Sequence, residues 1–455
     1  MELKKNDEIR VLIEDLGVDG AGIGKAAGFT FFIKDALPGD EITAKVIKLK
    51  KNYGYARLME IITPSPDRAE PKCPVARSCG GCQIQAMDYQ AQLNWKQEKV
   101  RQLLDRVGHV SDYEMLPIMG METPWHYRNK VQYPVGMNKD GKIVTGIYAG
   151  RTHAIIDTEK CYIQPEINEQ ILAIVKEWMA EEKIAPYDEN TGKGLVRHVL
   201  TRIGFQTGEI LVCLVINAGK LPHAEKLIAK LEKVPGMKSI SISPNMARTN
   251  VILGETEKTL WGQDYITDYI GDVKYQISPL SFYQVNPVQT KRLYQTALDF
   301  ADPGPDDVVW DLYCGIGTIS LFIAQKASKV YGVEIVPQAI EDAKRNAALN
   351  GMTNAQFYVG KAEEVLPRAY EKDHIHADII VVDPPRKGCD QALLDCMISM
   401  QPEKIVYVSC DPATLARDLK ILEEGGYKVE KVRCCDMFPH SVHVESVVKL
   451  SRAGS

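Results

Sequence analysis

The chain has 455 residues, more than one hydrophobic core organises, so several domains are expected. Apolar residues make up 45% and charged residues 25%, the balance of an ordinary globular protein, and the net charge is -5. This excludes a globally basic nucleic-acid binder, so any polyanion contact has to come from local patches. The opening MELKKNDEIR is charged and is followed by an apolar run of only Val11–Ile13, too short for a secretory signal. No run approaches the ~18 apolar residues of a membrane span, and no membrane contact is expected. Eleven cysteines, unpaired in number and unevenly spaced, point to metal binding or catalysis rather than disulfides, and the expected location is the cytoplasm.

Residues 1–62 read as short strands, Ile9–Ile13, Phe29–Ile33, Glu41–Lys48 and Tyr53–Ile62, separated by turns such as Leu37-Pro38-Gly39-Asp40. That spacing predicts a small OB-like β-barrel. Lys45, Lys48, Lys50, Lys51, Tyr53, Tyr55 and Arg57 mix cations with rings, a surface that suits nucleic acid or else is simply a solvated strand edge. Residues 63–280 read as a central α+β region. Pro64, Pro66 and Pro71 lead into Cys73-x5-Cys79-x2-Cys82, with Cys161 standing apart. By spacing alone these thiols suit zinc or an iron–sulfur cluster, zinc slightly ahead. Periodicity then predicts helices over Tyr89–Val107, Ile167–Glu182 and His223–Lys233, and strands over Lys130–Val135, His198–Ile203 and Ile210–Ile216.

Residues 281–455 alternate regularly. Asn286-Pro287 starts a helix, and strands are predicted at Val308–Leu312, Val330–Val333, Gln356–Val359, Asp378–Val382 and Lys404–Val408, with helices between. Two closing strands, Lys428–Val432 and Val444–Leu450, complete a Rossmann-like, mostly parallel sheet, giving a multi-domain α/β protein. Ligands bind such sheets at the carboxyl ends of the strands. The first strand ends Asp311-Leu-Tyr313-Cys-Gly315-Ile-Gly317-Thr318, where glycines let backbone approach a ligand. The spacing is GxG rather than GxGxxG, which disfavours a dinucleotide. The second strand ends in Glu334, a carboxylate able to accept from both ribose hydroxyls of an adenosine. Later strand tips carry Asp383, in Asp-Pro-Pro-Arg-Lys-Gly, and Cys410; the last strand begins near Glu445.

The DxxCGxGT and GVE pairing resembles class I methyltransferases, which implies S-adenosylmethionine as cofactor. The segments DPPRKG, VYVSCDPATLARD, DMFPHSVHVESV and Ser281-Phe-Tyr-Gln284-Val-Asn-Pro together resemble the RNA uridine-5-methyltransferase family over nearly the whole chain. The resemblance implies Cys410 as nucleophile toward carbon 6 of uracil and Glu445 as base at carbon 5. It further implies Gln284, Tyr313, Glu334 and Asp383 around the cofactor. The barrel resembles a TRAM domain, and the CxxxxxCxxC pattern resembles the cluster-bearing 23S rRNA branch. That implies a [4Fe-4S] cluster on Cys73, Cys79, Cys82 and Cys161, with 23S rRNA as partner and no obligate protein partner. Asp411 departs from the asparagine that follows the cysteine in many members. Cys213, Cys314, Cys389, Cys396, Cys434 and Cys435 read as core or incidental. Two other readings compete. An RNA cytosine-5-methyltransferase would carry a second cysteine after a proline in the DPP loop, and this loop has none there. A non-catalytic RNA binder would have no use for Cys410 and Glu445 at strand tips.

Overall fold

Alternating burial builds the N-terminal region: in the strand Glu8–Leu16, Ile9, Val11 and Ile13 point inward and their neighbours outward. The computed structural model describes residues 3–150, 152–158, 160–373 and 375–454. Strands Glu8–Leu16, Gly22–Ala26, Phe29–Lys34, Tyr53–Thr63 and Glu41–Leu49 follow one another around a closed barrel. Phe31, Ile33, Ile42, Ala44 and Val46 fill it with no measurable exposure beyond 1%. Gly22–Ala26 was not expected as a strand, because its two glycines and single branched residue break the apolar alternation. The glycine is required there: a Cβ on Gly24 would lie 2.4 Å from the Leu12 carbonyl oxygen. Asp40 ties the barrel to the segment that follows. Burial opposes its charge, but Arg68 and the amides of Leu37 and Ser65, at 2.7 and 2.8 Å, hold its carboxyl below the usual range.

The chain folds into two compact units. The first joins residues 1–96, 147–158 and 438–443 and contains the barrel and Cys73, Cys79 and Cys82; the second holds the remainder. In the second, a mixed sheet includes, in order, Lys258–Gly262, Met237–Pro244, Ile210–Ile216, Val196–Ile203 and Lys130–Met137. The predicted helix over Tyr89–Val107 is α-helical to Leu103 and then widens into a π turn, Leu104–Gly108. No described helix is long and apolar enough to cross a membrane.

The C-terminal sheet is built from β1 (Val308–Leu312), β2 (Lys329–Glu334), β3 (Ala355–Val359), β4 (Ile379–Val382), β5 (Lys404–Ser409), β6 (Tyr427–Cys435) and β7 (Glu445–Arg452). Their order is β3-β2-β1-β4-β5-β7-β6, with β1 to β5 parallel and β7 antiparallel to both neighbours. An added strand, Glu114–Met119, pairs parallel with β6 at the edge. Its sequence, EMLPIM, carries a proline and little alternation, so only pairing with a distant strand defines it. Apolar runs such as Ile379–Val382 are wholly buried, as expected of strands covered on both faces. Helices α1 (Pro287–Ala301), α2 (Thr318–Ala324), α3 (Pro337–Leu349), α4 (Ala362–Asp373), α5 (Gln391–Met400) and α6 (Pro412–Glu424) flank the sheet. The Asn286 side chain caps α1 at Gln289 N–H, with Pro287 in its first turn, as the Asn-Pro pair predicts.

Candidate active site

Parallel strands send their carboxyl ends to one edge, and Tyr313, Glu334, Asp383 and Cys410 all sit there, at the ends of β1, β2, β4 and β5. Glu445 reaches the same edge by the opposite route. β7 runs antiparallel to β5, so its first residue lies level with the end of β5, with Ser446 opposite Ser409 and Glu445 opposite Cys435.

The β1–α2 turn is strained in a way that opens backbone to a ligand. Gly315 and Gly317 have φ of +55° and +81°, and Tyr313, with φ +67°, adopts the left-handed region without a glycine's freedom. Nothing lies within 4 Å of where a Gly315 Cβ would stand. The Glu334 carboxylate accepts from Gly315 N–H at 3.3 Å and from Val336 N–H at 3.0 Å, which fixes it beside the turn. Thr318 opens α2; its hydroxyl pairs with Tyr294 Oη at 3.0 Å and its carbonyl accepts from Tyr275 Oη at 3.0 Å. Beneath the turn, buried Asp311 accepts from Ser320 Oγ at 2.5 Å. Burial raises the Asp311 carboxyl to about 7, and its second oxygen has no hydrogen-bond partner. Gln284 is 9% exposed, and its carbonyl accepts from Asn129 Nδ2 at 3.0 Å.

At the other side of the crevice three ionisable groups influence one another. Glu445 is 3% exposed; burial, then the nearby Asp383 carboxylate, push it up to about 8, against an opposing pull from Arg386. Burial raises Asp383 to about 7. The half-buried Cys410 thiol is raised to about 12, by burial first, then by Glu445 and Asp383, with Arg386 acting to lower it. A thiol and two carboxyls are therefore raised together by burial at one edge, with the exposed Arg386 guanidinium opposing the rise of Glu445 and Cys410, the setting in which protonation states are tuned for chemistry. Arg386 was not singled out from sequence, although it stands inside DPPRKG. Asp418 was missed as well. Fully buried, it accepts from Tyr407 Oη at 2.6 Å and Cys389 N–H at 2.8 Å and pairs with Arg417, whose guanidinium donates to the Lys387 and Cys389 carbonyls. These bonds hold the DPPRKG loop against α6. Asp411, the departure from the family pattern, accepts from Ala413 N–H at 2.9 Å and Thr414 N–H at 3.2 Å and so caps α6, as asparagine would.

Cys213, Cys314, Cys389, Cys434 and Cys435 are buried and Cys396 half-buried, in keeping with core roles. Cys73, Cys79 and Cys82 are half-buried, stand in no disulfide and belong to one loop. Gly81 N–H donates to Cys79 Sγ at 3.3 Å, and burial raises the Cys79 thiol, with Cys73 adding to the rise. Cys161 stands in no disulfide and belongs to the second unit. Among the described residues, no three His, Cys, Asp or Glu side chains are arranged as a metal cage. The donor chemistry fits a metal–thiolate group, but the observed arrangement does not by itself form one.

Strand order, the glycine turn and the acidic strand tip define a class I S-adenosylmethionine-dependent methyltransferase. Residues 88–453 match the model of the tRNA (uracil-5-)-methyltransferases, and residues 2–59 match the TRAM domain. The chain belongs to that uracil-5-methyltransferase family and carries an N-terminal TRAM domain. It is 53% identical over 449 residues to an uncharacterized RNA methyltransferase of Halalkalibacterium halodurans, covering 98% of both chains. A second from Bacillus cereus is 52% identical, across 99% of this chain and 98% of that one. Among solved structures, the Pyrococcus abyssi tRNA (uracil-54, C5)-methyltransferase with S-adenosyl-L-homocysteine superposes with a TM-score of 0.78. The two are 29% identical, over 97% of this chain and 99% of that one.

Proposed function

We propose that this enzyme methylates carbon 5 of a uridine in 23S rRNA through a covalent adduct between Cys410 and carbon 6. The observation that carries the reading is the meeting of Cys410, Glu445, Asp383 and Arg386 at one sheet edge. Carbon 5 of uracil is too weak a nucleophile to take a methyl group unaided. When the Cys410 thiolate bonds to carbon 6, the ring electrons shift to an enolate and carbon 5 becomes nucleophilic. S-adenosylmethionine supplies the methyl group, leaving as S-adenosylhomocysteine. The Glu445 carboxylate then takes the carbon-5 proton, the double bond re-forms, and the thiolate departs. Arg386 favours the thiolate, and Asp383 raises the proton affinity of Glu445. Gln284, Tyr313, Gly315, Gly317, Thr318 and Glu334 form the cofactor side of the crevice.

Glu334 gives a direct test of that assignment. Glu334→Ala is expected to weaken cofactor binding by on the order of ten- to a hundredfold, about 1.5–3 kcal/mol for a lost charge-assisted hydrogen bond. RNA affinity should stay nearly unchanged. Unaltered calorimetric affinity for S-adenosylhomocysteine removes Glu334 from the site.

The barrel is assigned to RNA binding. On its outer face Phe32, Tyr53 and Tyr55 stand within 5.7–5.9 Å of one another, beside exposed Lys48, Lys50, Lys51 and Arg57. Rings stack on bases and cations meet phosphates, so deleting residues 1–62 should weaken RNA binding and lower its salt dependence while sparing cofactor binding. A truncated enzyme that methylates full-length rRNA at the normal rate gives the barrel another purpose.

A second reading has tRNA as substrate, since the Pyrococcus abyssi enzyme acts on tRNA uridine 54. That enzyme aligns over almost the whole chain, so the barrel does not separate the two; the cysteine loop is what favours 23S rRNA. Mass spectrometry of rRNA and tRNA from cells lacking this enzyme decides: loss of 5-methyluridine from rRNA supports the first reading, and loss from tRNA alone supports the second.

A further inference from the structure

Along the solvent side of α1 runs a groove of about 500 Å³, within the range of roughly 300–1,000 Å³ typical of ligand sites. Its walls combine charge and rings. Lys291, Arg292 and Arg433 supply three cations against one carboxylate, Asp299, which is already engaged by Gln295 Nε2 at 2.7 Å. Phe205 and Tyr269, from the turn after Val196–Ile203 and the hairpin Ile266–Ile277, line the same groove. Arg292 is exposed and already engaged, donating to Gln289 Oε1 at 3.0 Å and to the Gly120 carbonyl. Lys291 is exposed and makes no hydrogen bond or ion pair among the described residues, and Arg433 Nε is buried with no partner.

The groove starts beside the crevice. Pro287 and Val288, which line its upper end, follow directly on Gln284 and Asn286. The Asn286 amide donates to the Met437 carbonyl at 3.0 Å, just past the end of β6, and Val288 is 51% exposed. From there the lining residues descend α1 turn by turn through Lys291 and Gln295 to Asp299.

We infer that this groove seats the RNA strand adjoining the target nucleotide, a phosphate between Lys291 and Arg433 and a base against Phe205 and Tyr269. The inference rests on the RNA-methyltransferase reading and adds to it a second contact surface, separate from the barrel. Cations flanked by rings recognise single-stranded nucleic acid without reading its sequence. The groove thus sets affinity and strand direction rather than the choice of uridine.

The test uses the full-length enzyme, with unmodified rRNA from cells lacking it as probe and tRNA from the same cells in a second arm. Lys291 is exposed, so Lys291→Glu leaves the core intact; Phe205→Ala removes one ring. Lys291→Glu is expected to raise the KM for the methylated RNA tenfold or more, with kcat at saturating RNA and cofactor affinity unchanged. Lys291→Gln should reduce the slope of log affinity against log salt by about 0.7, the share of one single-strand phosphate. Phe205→Ala should raise KM without altering that slope. Wild-type KM and slope in all three variants overturn the groove while leaving the methyltransferase reading standing. A wild-type enzyme that methylates neither RNA overturns both.

Discussion

Glu445→Gln should accumulate a protein–RNA complex that survives denaturation and already carries the transferred methyl group. Removing the carboxylate leaves Cys410 free to add to carbon 6 and carbon 5 free to take the methyl, but blocks the proton loss that releases sulfur. Cys410→Ala should form no such complex and lose turnover altogether, because the ring is never activated. RNA containing 5-fluorouridine should trap the wild-type enzyme in the same way, since fluorine does not leave as a proton. Wild type that binds cofactor and fluorinated RNA yet forms no adduct overturns the covalent route. An adduct with Cys410→Ala assigns the attack to another cysteine. The pH dependence follows from the same groups. Glu445, raised to about 8, is largely protonated at neutral pH, and only its ionised form accepts the carbon-5 proton. The thiol, raised to about 12, also gains its reactive form as pH rises. Turnover should therefore climb through the region around pH 8, and a profile that falls there removes Glu445 as the base.

Anaerobically purified protein should be brown and contain about four irons and four sulfides, held by Cys73, Cys79, Cys82 and Cys161. The motive is three cysteines outside any disulfide in one loop, an amide donated to the Cys79 sulfur, and the family pattern of the spacing. Cys79→Ser should lose colour and iron together. Because the proposed chemistry has no reductive step, the residual protein should keep its affinity for S-adenosylhomocysteine while losing affinity for RNA. Stoichiometric zinc without sulfide, in protein never exposed to air, rejects the cluster.

Much of the catalytic sheet was readable from the chain because its signals are local. A buried parallel strand is a short apolar run, and the residue that ends it is by construction at the ligand-binding edge; this places Tyr313, Glu334, Asp383 and Cys410 without any knowledge of contacts. The helix over Pro287–Ala301 was likewise announced by its own cap and proline. What failed were elements whose definition lies elsewhere. Gly22–Ala26 has no strand propensity and is paired because Gly24 lets two backbones close together. Glu114–Met119 becomes a strand only by adding to β6, some three hundred residues later.

The sequence by itself determined the class of fold, the family and the identity of the residues at the strand tips, since each is written in short contiguous motifs. Only the tertiary structure decided which of those residues share a site and in what protonation state. Glu445 is no more than an acidic residue at a strand start until β7 turns antiparallel and buries it beside Asp383 and Cys410. Its raised pKa is a property of the desolvation around it, as is that of Cys410. Arg386 and Asp418 belong to the same level: one acts through its charge near the thiol, the other through buried hydrogen bonds that join β5, α6 and the DPPRKG loop. Both effects depend on what packs against a residue from far along the chain, and spacing carries no record of it.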